Sequence, residues 1–122
     1  MIVVDSSAVL DLLLNRPSAE ALRDRLFAPR ETLHAPYLLD LDVVQVFRRH
    51  LFAGSITHAE AATLLDCHFT VPIERYPHDP LWQRVWSLRE NVTAYDAIYV
   101  ALAETLGVAL VTADGELAKA IA

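Results

Sequence analysis

At 122 residues with 54% hydrophobic side chains, the chain suits one domain that buries roughly two-thirds of its unfolded surface. Ten basic against sixteen acidic residues leave a formal charge of −6, which argues against a broad basic face for nucleic acid. A single cysteine, Cys67, excludes an internal disulfide and a Cys-rich zinc site, and is expected to be a small buried apolar group. No apolar stretch approaches membrane-spanning length and no basic residue precedes the opening apolar run, so a cytoplasmic location is expected.

Ile2-Val3-Val4 is a short β-rich run, and Asp5-Ser6-Ser7 offers caps for a helix over Ala8–Leu14 that ends near Pro17. Ser18 opens an amphipathic helix with Leu22 and Leu26 inward, stopping before Pro29. Thr32–Ala35 suits a second strand. From about Tyr37 to Gly54, Leu39, Val43, Val46, Phe47 and His50 recur at helical spacing. Thr57-His58-Ala59-Glu60 is a capping box for another helix, which the pattern ends before a third strand at Phe69-Thr70-Val71. Asp79-Pro80 begins a helix carrying Leu81, Trp82, Val85, Trp86 and Leu88. Thr93 caps a helix over Ala94–Leu106 that Gly107 closes. Val108–Val111 reads as a fourth strand, and Asp114-Gly115 leads into a short last helix. Strands alternating with helices imply an α/β fold: a mostly parallel sheet of four to five short strands flanked by helices, as one domain over residues 1–122.

In open parallel sheets, ligand sites form beyond the carboxyl ends of the strands. Asp5 and Asp114 fall there, directly after the first and fourth strands, while Asp42 and Asp96 lie early in helices. Asp42 and Asp96 are each flanked on both sides by apolar or aromatic residues. Several carboxylates without histidine or thiol suit a hard divalent cation, which polarises a phosphate and positions a water. Each aspartate also has a structural role to play: Asp5 and Asp114 suit N-caps, Asp96 suits the acidic member of a capping box with Thr93, and Asp42 a solvated helix carboxylate. Asp42 fits that role least well, because Asp is a poor helix former among Leu41, Val43 and Val44.

With all four together, the chain resembles the PIN-domain ribonucleases, specifically the VapC-type toxins of bacterial toxin–antitoxin pairs. Residues Ile2–Leu10 are similar to the family's first strand and first acidic residue, and Ala35–Val43 to its second motif. Thr93–Tyr99 and Leu110–Asp114 resemble its third and fourth, and the likeness spans essentially the whole chain. The resemblance implies a metal-dependent endoribonuclease in which Asp5, Asp42, Asp96 and Asp114 hold Mg²⁺ or Mn²⁺ and activate water against an RNA phosphodiester. It places Ser6 and Thr112 at hydroxyl positions that orient ligands or water. It also implies a homodimer silenced by a cognate antitoxin protein. The family's second motif usually carries Glu where this chain has Asp42, a loss of one methylene that favours metal contact through a water. Asp40 is not expected to substitute, since two residues along a helix point to different faces.

The alternative within the same fold is a PIN-like module without effective catalysis, acting by RNA or protein binding. A phosphoacceptor receiver domain fits poorly: Asp5 stands alone after the first strand, Val71-Pro72-Ile73 carries no aspartate, and Lys119 is the sole lysine. His34, His50, His58, His68 and His78 form no i, i+4 zinc pair, so surface or packing roles are expected. Arg48-Arg49 suits a solvated helix face more than a contact with an RNA backbone, and Trp82 and Trp86, one turn apart, suit core or dimer packing more than base stacking.

Overall fold

The computed structural model describes residues 1–121. Strand β1 (Ile2–Val4) lies at the centre, paired in parallel with β2 (Leu33–Pro36) and β4 (Leu110–Val111); β3 (Ile73–Tyr76) extends the sheet beyond β2. The register sets Val3 opposite both His34 and Leu110, so β1 is held on both sides. Its three residues are all buried, as a strand covered on both faces requires.

The crossovers sort the helices. Helices α1 (Ser6–Leu13) and α2 (Ala19–Leu26) connect β1 to β2, and α3 (Leu38–Phe52) and α4 (His58–Thr70) connect β2 to β3. Both steps move the same way along the sheet, so right-handed crossovers place these four helices on one face. The next step turns back past β1 to β4, which puts α5 (Trp82–Ser87) and α6 (Ala94–Leu106) on the opposite face. The contacts agree: α1 meets α2, α3 and α4, whereas α6 meets α5, β1 and β2. The last helix, α7 (Gly115–Ala120), follows β4. Ala97 to Ala103 of α6 are buried without interruption, so this helix forms part of the core, with small alanines allowing close approach. Tyr99, Phe47, Ile2, Leu39 and Leu102 are the largest of the fully buried side chains.

Several expected boundaries move. The third strand is not at Phe69–Val71, because α4 runs on through Thr70 and Pro72 provides the break. The fourth strand shortens to Leu110–Val111, although the Ala109 carbonyl still accepts from the Val3 amide at 3.0 Å. The helix expected from Asp79 begins as a single 3₁₀ turn over Asp79–Leu81. Cys67 is exposed on α4, not buried, since its neighbour His68 takes the inward position. Trp82 and Trp86 are 61% and 63% exposed, which removes the core-packing role expected of them. His34 and His68 are packed inside, and the His78 ring nitrogen accepts the Leu38 amide at 3.1 Å at the head of α3.

Candidate metal centre at the carboxyl edge of the sheet

A helix that returns from a parallel strand begins at the carboxyl edge of the sheet, so its first turns share that edge with the residues that end the strands. This topology brings the four aspartates to one place. Asp5 ends β1 and Asp114 follows β4, while Asp42 and Asp96 sit near the heads of α3 and α6. Asp5, Asp114 and Thr93 cap their helices as their positions suggest: Asp5 Oδ1 accepts the Ala8 amide at 2.9 Å, Asp114 Oδ1 those of Glu116 and Leu117, and Thr93 Oγ1 that of Asp96. The capping and convergent roles are compatible, because a carboxylate keeps further lone pairs after one cap bond.

Asp5 is the most constrained of the four. It is 4% exposed, and the Ser7 hydroxyl donates to its Oδ1 at 2.7 Å while the Thr112 hydroxyl donates to its Oδ2. Thr112 Oγ1 also accepts the Asp114 amide at 3.0 Å, and Ser7 Oγ accepts the Ala113 amide at 2.9 Å. Each hydroxyl has one proton, and both protons go to the Asp5 carboxylate; the 3.1 Å approach between Ser7 Oγ and Thr112 Oγ1 therefore carries none of its own. The ends of β1 and β4 are stitched together through this lattice. Asp42 is fixed differently: the buried Tyr99 hydroxyl donates to its Oδ2 at 2.7 Å.

Charge links the four carboxylates: Asp96 senses Asp114, Asp5 and Asp42, Asp5 senses Asp114, and Asp42 senses Asp5. Burial pushes the Asp5 carboxyl up; bonds from Thr112, Ala8 and Ser7 oppose this, and the charge on Asp114 adds to it. Burial also raises Asp42, against the Tyr99 bond and with the help of Asp5. Asp96 is raised by burial and then by Asp114, Asp5 and Asp42 in turn, with only Thr93 holding it down. The Tyr99 phenol is itself pushed far up, by burial first and then by its bond to ionised Asp42, so it remains a donor. Among the described residues no three side chains of the His, Cys, Asp and Glu type stand close enough to form a ready-made ligand shell. The donor set nevertheless fits a hard cation: all its atoms are carboxylate oxygens, and they repel one another in the absence of positive charge. Beside Asp96 and Asp114 opens a groove of about 480 Å³, whose walls include Arg89, Asn91, Thr93 and Glu116.

Two serines follow Asp5 and bear on different partners. Ser7 ties Asp5 to Thr112, whereas Ser6 acts on the Tyr99 phenol, which it draws back down. Tyr99, which holds Asp42 in place, was not expected from the sequence. Its signal was a tyrosine three residues after Asp96, on the same face of the helix, whose hydroxyl needs a partner when buried. Asp40 points away from the cluster as expected, accepting Arg75 Nε at 2.8 Å, Arg75 Nη2 at 3.0 Å and meeting His68 Nε2 at 2.8 Å.

Known proteins place this chain in a family. The model of the PIN domain matches residues 2–121. Ribonuclease VapC12 of Mycobacterium tuberculosis is 40% identical over 119 residues, covering 98% of this chain and 91% of that protein. Ribonuclease VapC1 of the same organism is 42% identical over 119 residues, covering 97% and 89%. The crystal structure of Mycobacterium tuberculosis VapC20, described as a toxin that cleaves the sarcin–ricin loop, superposes with a TM-score of 0.74 at 16% identity. It covers 98% of this chain and 95% of its own, and supports the fold alone. Four aspartates gathered at the edge of a parallel sheet, on a chain this similar to VapC proteins over nearly its full length, lead to one assignment: the chain belongs to the PIN-domain family, among the VapC ribonucleases that are the toxins of toxin–antitoxin systems.

Proposed function

We propose that this chain, as one PIN domain over residues 1–122, cleaves RNA endonucleolytically with Mg²⁺ or Mn²⁺ held by Asp5, Asp42, Asp96 and Asp114. The observation that carries this reading is the placement of Asp5 after β1, Asp114 after β4, and Asp42 and Asp96 near the heads of α3 and α6, all at one edge of the sheet; burial, and then the charges of the other three, raise the Asp96 carboxyl, as suits an oxygen site made for a cation. When bound, the cation supplies Lewis-acid stabilisation of the phosphodiester and lowers the pKa of a water.

The chain's own residues do the positioning. Thr112 and Ser7 hold both oxygens of Asp5 and prevent the carboxylate from turning. Tyr99 fixes Oδ2 of Asp42 and leaves Oδ1 to face a ligand or its water, which compensates in orientation for a side chain one methylene short of Glu. Asp96 has the least support from protein donors and the most like charge around it, so it gains most from a bound cation. Family membership implies an RNA substrate and an antitoxin partner. A homodimer and a cytoplasmic location complete the reading; among the described residues no helix is long and apolar enough to cross a membrane.

The test is cleavage of total RNA by the purified protein with Mg²⁺, with Mn²⁺ and with EDTA, beside Asp42→Asn. Cleavage is expected only with metal, and Asp42→Asn should lower the rate at least about 100-fold, in the range lost when an electrostatic group is removed from a reaction centre. Equal cleavage in EDTA would exclude the metal mechanism.

A further inference from the structure

A second groove, of about 570 Å³, opens on the face covered by α1 and α3, with Ser6 and Ser7 at the end nearest the aspartates. Its charged and titratable lining is Arg16, Arg49 and His50, without a carboxylate. This reverses the character of the groove at Asp96, Asp114 and Glu116. In a chain of formal charge −6, a carboxylate-free groove that begins at the acidic cluster stands out. Arg16 is already neutralised, because Asp11 takes its guanidinium at 2.8 Å and the Ser18 hydroxyl at 2.9 Å. Arg49 has no ion-pair partner among the described residues, and it carries the groove's uncompensated charge.

Helix α3 sets the spacing. Asp42, Val46, Arg49 and Ala53 follow one another at i, i+4, i+7 and i+11, a single stripe along the helix. Asp42 heads it at the cluster and Arg49 lies about 10 Å further along the axis, seven residues at 1.5 Å each. A polyanion engaged at the cluster would thus lay a flanking phosphate against Arg49. No Phe, Tyr or Trp lines the groove, so it offers no broad platform for stacking bases.

Resting on the assignment of the aspartates to cleavage, we propose that the Ser6–Arg49 groove binds the sugar–phosphate backbone of single-stranded RNA beside the cleaved bond, with Arg49 meeting a phosphate irrespective of base. Arg49 is thereby a binding residue, distinct from the groups at the reaction centre. Contacts of this kind release counterions, so they weaken with salt in proportion to the number of phosphates neutralised.

The experiment is fluorescence anisotropy with two single-stranded RNA oligonucleotides of unrelated sequence, in EDTA, across a salt series, for the full chain and for Arg49→Gln. Arg49→Gln should weaken binding of both RNAs by a similar factor, roughly tenfold at low salt. The plot of log affinity against log salt should become shallower by about 0.7, the loss of one phosphate contact on a single strand. An unchanged melting temperature shows that the variant is folded. Unchanged affinity and slope, a loss confined to one sequence, or no RNA binding by the wild type at low salt each overturn the proposal. So does an Arg49→Gln protein that keeps its RNA affinity but loses that for an acidic polypeptide, which would make the groove a protein site. If the wild type binds with the expected Arg49 dependence yet does not cleave in Mg²⁺, the assignment of the aspartates fails and the groove stands. If it cleaves while Arg49→Gln binds normally, the reverse holds.

Discussion

Asp96 meets the charge of Asp114, Asp5 and Asp42 in a half-buried position, and Thr93 alone draws its carboxyl back down. Replacing it by Asn keeps the shape and removes one of the repelling charges. In EDTA, Asp96→Asn should therefore melt above the wild type, by an amount worth about 1 kcal/mol, the usual gain when an active site gives up a strained charge. The weaker interaction with the helix N-terminus works in the other direction, and at an accessible first turn it is about 1 kcal/mol or less. Millimolar Mg²⁺ should raise the melting temperature of the wild type more than that of the variant, because a ligand of the folded state stabilises in proportion to its occupancy. Paired melting curves check both points; a variant that melts lower in EDTA and gains equally from Mg²⁺ makes Asp96 a structural cap only.

Where three elements meet, Asp40 of α3 accepts two bonds from Arg75 of β3 and lies 2.8 Å from the fully buried His68 of α4. Burial pushes the Asp40 carboxyl up, but Arg75 and His68 more than offset this, and it ends below its ordinary value. A depressed carboxylate stabilises the fold above its unfolded pKa, and that contribution drains away as pH falls through the lower folded value. Asp40→Asn should accordingly cost about 2 kcal/mol at pH 7 by urea denaturation, with the difference shrinking below about pH 4. Cleavage by the folded fraction should stay near normal, since Asp40 lies off the cluster. A crippled rate with unchanged stability would exchange the roles of Asp40 and Asp42. Nothing local announces this junction, because its partners stand 28 and 35 residues away. Local signals were legible: the caps at Asp5, Thr57, Thr93 and Asp114 need only a few neighbouring residues, and all four form. The strand proposed at Phe69–Val71 was lost because β propensity yields to context, and there the α4 ladder continues until Pro72. The four candidate aspartates stand out because each follows a strand or lies early in a helix; the Tyr99–Asp42 bond and the approach of Ser7 to Thr112 join residues that no short window contains.

Trp82, Trp86, Tyr95, Tyr37 and Leu41 are each more than half exposed, on α5 and near the heads of α6 and α3. Large apolar side chains left exposed on a chain with a complete core suit the surface of the proposed homodimer. The proposed homodimer predicts a concentration-dependent rise in mass by sedimentation equilibrium, which a Trp82→Ser/Trp86→Ser double variant should shift toward the monomer without lowering its melting temperature. A wild type that stays monomeric into the tens of micromolar removes the dimer. The strand order has a further consequence for how such a molecule is made. The sheet is entered through β1 at its centre and completed by β4, and the Ser7–Thr112–Asp5 lattice closes only when β4 arrives. While the polypeptide is still growing, Asp5, Asp42 and Asp96 are synthesised before Asp114, and one side of β1 stays open until β4 follows. With the proposed site, the translating machinery, itself built of RNA, meets a ribonuclease whose four aspartates come together only once the fourth strand has been made.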